Sequence, residues 1–127
     1  MIDLNPESVL NIANNARRFQ AAASMDPETV PQTLNDDAAF ERLVEWHEDS
    51  DYIELKNAID DLEPDQQATL VALMWIGRGD YDLDAWEDAL GYAQEASGVS
   101  TAAYLIATPL LADYLEEGLN LHGYGED

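Results

Sequence analysis

Arg78 is the residue best placed to do chemistry, because it is a lone cation in an acidic field. It is the only basic side chain after Lys56, and 15 carboxylates share the last 71 residues with it. It stands between Gly77 and Gly79, precedes Asp80, and follows the uninterrupted apolar run Leu70 to Ile76. A guanidinium carries several donors in a planar fork, so it grips a phosphate, a carboxylate or a row of backbone carbonyls. With Trp75 and Trp86 as a floor, Arg78 would make a pocket for a small anion. The plainer reading has it closing a helix, bonded to the last carbonyls and to Asp80 or Asp82. Gly77, Arg78, Gly79, Asp80, Trp75 and Trp86 are therefore the candidate structural or ligand-binding residues. No catalytic residue emerges.

The other constellations are weaker. Asp80, Asp82, Asp84 and Asp88 fall at positions 1, 3, 5 and 9 of a calcium loop. Ala85 then stands where a glycine must make the turn, and Gly91 where a bidentate glutamate must close the shell. His47 and His122 are the only histidines and have no zinc-ligand spacing around them. No nucleophile motif surrounds any serine, and cysteine is absent, which removes thiolate sites and disulfides together. Paired acids such as Asp36-Asp37, Asp60-Asp61, Glu87-Asp88 and Glu116-Glu117 read as a solvated coat, since acid–base work requires one member desolvated. Arg78-Gly79-Asp80 spells an adhesion tripeptide, a match too short to carry weight. No metal and no cofactor is indicated.

These residues must be positioned by helices. Apolar residues recur at helical spacing and no alternating strand pattern occurs. Asn5-Pro6 starts a first helix, about 6–24, with Val9, Ile12, Ala13, Ala16, Phe19 and Ala23 on one face. A linker with two prolines, Pro27 and Pro31, spans Ser24 to Gln32. Asn35 caps a second helix bearing Phe40, Leu43, Val44 and His47, and Ser50 opens a third with Tyr52, Leu55, Ile59 and Leu62 inward. Glu63-Pro64 starts a fourth, about 64–76, which is apolar on nearly every side and so belongs at the centre of a bundle. Gly77 is expected to close it in the left-handed conformation. A fifth helix points Leu83, Trp86, Leu90 and Ala93 inward and stops at Ser97-Gly98. A last stretch from Ser100 is interrupted by Pro109: it either kinks there or restarts from Thr108 as a cap. Residues 122–127 read as a loose tail.

The fold class is therefore all-α, a single compact bundle of five to six helices in one 127-residue domain. Residues 1–34 could form a flanking arm. The run Leu70 to Asp80, followed by Trp86, Tyr104-Leu105 and Pro109 to Leu119, resembles the small bacterial proteins of domain-of-unknown-function family 3775. The resemblance covers about residues 60–120, the family-like core. It implies a compact helical bacterial domain without an established activity, and the matching positions are Gly77, Arg78, Gly79 and Asp80.

Net charge bounds the partners. The 27 acids against 5 bases give −22, a surface that repels nucleic acid and anionic membranes and attracts basic proteins. The N-terminus is acidic where a signal peptide is basic, and no apolar run approaches the ~20 residues of a membrane span. A cytoplasmic location is expected. The function expected is a non-enzymatic protein–protein interaction module, binding a protein with a basic surface. The alternatives are a DNA-mimicking inhibitor of a basic protein and a small-anion binder or enzyme centred on Arg78. Oligomeric state is not legible.

Overall fold

A computed structural model describes residues 4–22, 46, 48–96 and 101–123. Among these residues there are six α-helices and no strands, so the protein is an all-α bundle. The helices are α1 (Pro6–Ala22), α2 (Ser50–Asp60), α3 (Pro64–Arg78), α4 (Trp86–Ala96), α5 (Thr101–Ile106) and α6 (Leu111–Leu121). A 3-10 turn, Leu83–Ala85, precedes α4. The expected linker at 24–32, the second helix around Asn35 with His47, the stop at Ser97-Gly98 and the tail beyond 123 lie outside the described residues.

Each start has a local cause. Asn5 Oδ1 accepts the Glu7 amide at 2.9 Å, and Pro6 occupies the first turn of α1. Asp49 Oδ1 accepts the amides of Asp51 (2.9 Å) and Tyr52 (3.2 Å), so Asp49 is the cap of α2. At α3, Gln66 Oε1 reaches back to the Glu63 amide at 3.0 Å, the return half of a capping box, with Pro64 following.

α3 is the central element. Every residue from Ala68 to Ile76 is buried. Its broadest contact is with α6, and it also packs on α4 and α5. α1 lies along α6 and α2, while α2 also meets α5. The α1 face Val9, Ile12, Ala13, Ala16 and Phe19 is buried, and Phe19, Trp46 and Tyr52 form a ring cluster with centroids 5.0–5.8 Å apart. Two side-chain links tie α1 to the C-terminal half. Arg17 Nη2 donates to Asp113 Oδ1 (3.1 Å) and Glu116 Oε2 (3.0 Å), and Gln20 Nε2 donates to the carbonyls of Ile106 (3.0 Å) and Thr108 (2.7 Å).

Two expectations need correction. Leu83 is 40% exposed rather than inward, because the 3-10 turn that holds it breaks the phase of α4. Thr108 does not cap the last helix, which starts at Leu111; the Thr108 hydroxyl donates back to the Tyr104 carbonyl at 2.9 Å. Leu110 takes the N-cap position instead, in the left-handed conformation (φ 63, ψ 24) that leucine adopts only under strain.

Candidate functional site

The exit of α3 gathers most of the residues singled out in the sequence. The helix runs two residues past Ile76, to Arg78, and Gly79 rather than Gly77 takes the left-handed conformation, with φ 94 and ψ 9. The Asp80 amide donates to Trp75 O (2.9 Å) and the Gly79 amide to Ile76 O (3.2 Å), the paired bonds of a Schellman closure. Gly77 has a different duty. A β-carbon there would overlap the Tyr114 carbonyl oxygen and lie 3.0 Å from the Gly118 amide nitrogen. Gly118 is matched to it, since its own β-carbon would overlap the Leu73 carbonyl oxygen. The two glycines let α3 and α6 cross with their backbones in contact. The left-handed residue is displaced to position 79 because position 77 must stay helical to pack.

Arg78 turns back over this closure. Its Nε and Nη2 donate to one oxygen of Asp80, Oδ2, at 2.9 and 2.6 Å, and Nη2 approaches the Tyr104 hydroxyl at 3.4 Å. The guanidinium is half-buried, with 26% of the side chain accessible. Burial works against its charge, but the bonds to Asp80 and Tyr104 outweigh that and hold its pKa above the ordinary arginine value. Arg78 therefore bonds a carboxylate and a phenol; the carbonyls at the end of α3 are taken by backbone amides.

Trp75 lies beneath, 5% exposed, its Nε1 donating to the buried Tyr104 hydroxyl at 2.9 Å. Tyr104 thus accepts from Trp75 and Arg78 together. The Trp75 ring is flanked by Tyr81 (centroids 5.8 Å) and Tyr92 (5.6 Å), and Tyr92 is 53% exposed. The contact recorded for the Trp86 ring is with His122, which it meets edge-on with centroids 4.3 Å apart. His122 Nε2 is buried without a hydrogen-bond partner, and burial lowers the His122 pKa below its ordinary value. Tyr52 on α2 is similar, its buried hydroxyl unpartnered and its pKa raised by burial.

Three contributors carry no site signal in the sequence: Tyr104, Tyr81 and Tyr92. Aromatic residues of a helical bundle read as core, and no local spacing links Tyr104 to residues 26 and 29 positions before it. Tyr92 carries a signal of exposure alone. It shares an α4 stripe with Asp88 and Glu95, at spacings of four and three, and such a stripe is a wet face. Among the described residues no group of three or more His, Asp or Glu is placed to hold a metal ion, and Asp80 is engaged by Arg78 rather than turned into a loop. Among the described residues, no helix is long and apolar enough to cross a membrane.

The fold and this site define an acidic helical bundle whose central helix ends in a Gly-Arg-Gly-Asp closure. The chain belongs to the family described as Protein of unknown function (DUF3775), whose model matches residues 52–124. The match begins within α2 and takes in α3 to α6, including the whole α3 exit. No curated protein and no solved structure matches the chain.

Proposed function

We propose that this protein is a non-enzymatic interaction module that binds a basic protein through the face at the α3 exit. The observation that carries the reading is Tyr92, an aromatic ring more than half exposed yet seated on the buried Trp75. A tyrosine backed by a buried ring has the makings of an interface anchor, which contributes contact area with few rotatable bonds. Asp88 and Glu95 flank it on α4, so the anchor sits in negative surroundings. A partner that buries Tyr92 must bring positive charge to its edge.

The Arg78 guanidinium is already held by Asp80 and Tyr104, which weighs against an anion-binding or catalytic centre there. An interaction of this kind in the cytoplasm is consistent with the −22 charge. The test is affinity capture from native lysate with the wild type and with Tyr92→Ser, at low and high salt. A partner held by the wild type at low salt, and released both by salt and by Tyr92→Ser, supports the reading. Identical captures by the two proteins would end it.

A further inference from the structure

Where α1 meets the start of α6, a cavity of about 340 Å³ opens between Arg17, Gln20 and Ala21 on one side and Pro109, Leu110 and Asp113 on the other. This is the small end of the range for ligand pockets. Its walls are almost wholly apolar. The polar groups at its edge are already committed: Gln20 to the carbonyls of Ile106 and Thr108, and Arg17 to Asp113 and Glu116. Burial of an apolar guest therefore costs no unmade hydrogen bond among them. Leu110, 57% exposed, holds its side chain at the rim from a left-handed backbone.

Charge selects the guest. Asp113 lines the cavity with Arg17, and Arg17 is paired both with it and with Glu116, one turn further along α6. The hydrogen bonds to those two carboxylates hold its pKa above the ordinary value, so it stays matched to them. An anionic guest would meet an already neutralised guanidinium in a chain of net charge −22, whereas a cationic one would meet free carboxylate edges.

We propose that this cavity seats an aliphatic side chain of a basic amphipathic helix on a partner protein, whose lysines or arginines meet Asp113 and Glu116. Helix-in-groove recognition works in this way, with apolar anchors in a cleft and charges along its rim. None of the residues at the α3 exit takes part, so neither proposal depends on the other.

The probe is a labelled synthetic helix of leucine and lysine, with a leucine–glutamate helix of equal length as control. Binding is read by fluorescence anisotropy and by the amide shifts of residues 17–21 and 110–113. Ala21→Phe fills the cavity from an exposed helical position, and Leu110→Gly removes the rim side chain while keeping a backbone that glycine adopts freely. The leucine–lysine helix should bind the wild type, shift those amides, and lose about tenfold or more in affinity with Ala21→Phe, a difference of ~1.4 kcal/mol. Leu110→Gly should weaken it several-fold and carries the test if Ala21→Phe does not fold. Equal binding to both variants would show that the acidic coat alone holds the probe. That result, equal binding of the leucine–glutamate helix, or no binding to the wild type would overturn the proposal.

Discussion

Gly77 packs directly on Gly118: a β-carbon on the first would stand 3.0 Å from the amide nitrogen of the second and overlap the Tyr114 carbonyl oxygen. The obstacle is backbone on both helices, so neither side can yield by a rotamer change. Gly77→Ala and Gly118→Ala should each lower stability by about 2–3 kcal/mol, the scale of overpacking in a closed core. Urea unfolding measures this. A loss below ~0.5 kcal/mol for both would mean the helices do not cross in contact.

Gly91 provides the opposite case on α4, where a β-carbon would meet nothing within 4 Å. Gly91→Ala should raise stability by about 0.5–1 kcal/mol, because alanine costs less to hold in a helix. The same unfolding experiment checks the sign.

At the N-cap of α6, Leu110→Gly should also stabilise, by about 1 kcal/mol, since glycine relieves the left-handed strain at φ 63. A destabilised variant would show that the exposed leucine makes contacts that outweigh the strain.

Arg78→Lys should lower stability by about 1 kcal/mol. Lysine keeps the charge but cannot place two donors on Asp80 Oδ2 while a third side approaches Tyr104. The Trp75 Nε1 bond to Tyr104 does not need Arg78, so tryptophan emission should change little. A variant as stable as the wild type would show the Arg78 bonds to be idle.

His122 makes the protein less stable in mild acid. Burial favours its neutral form, so its pKa is lower folded than unfolded, and the unfolded chain takes the proton first as pH falls. Its contribution is complete above about 6.5, the unfolded value, and is lost as pH drops toward the folded pKa. Unfolding free energies of the wild type and His122→Leu at a series of pH values isolate this effect. The wild type should lose more between pH 7 and the acid end of that window; parallel curves would contradict it.

Much of the bundle was legible in the sequence because the signals were local. Glu63-Pro64 and the run Leu70 to Ile76 fixed the central helix, and Asn5-Pro6 fixed the start of α1. What escaped was set by tertiary contact. Either glycine after the apolar run could close α3, and only the approach of Tyr114 and Gly118 reserves Gly77 for packing and leaves the closure to Gly79. The partner of Arg78 and Trp75, Tyr104, lies on another helix. Trp86 packs edge-on against His122, a residue with no sequence signal toward it. Thr108 is the residue type that caps a helix, yet Leu110, two positions further on, holds the N-cap, and the Thr108 hydroxyl donates back to the Tyr104 carbonyl. Of the candidate site, the turn residues were readable by type and the aromatic backing was not.

Hydrogen exchange of the chain, alone and with its captured partner, tests the central claim most directly. The account predicts that peptides spanning residues 78–95 slow on binding, with Tyr92→Ser removing the effect. Protection confined to other segments, or unchanged by Tyr92→Ser, would contradict it.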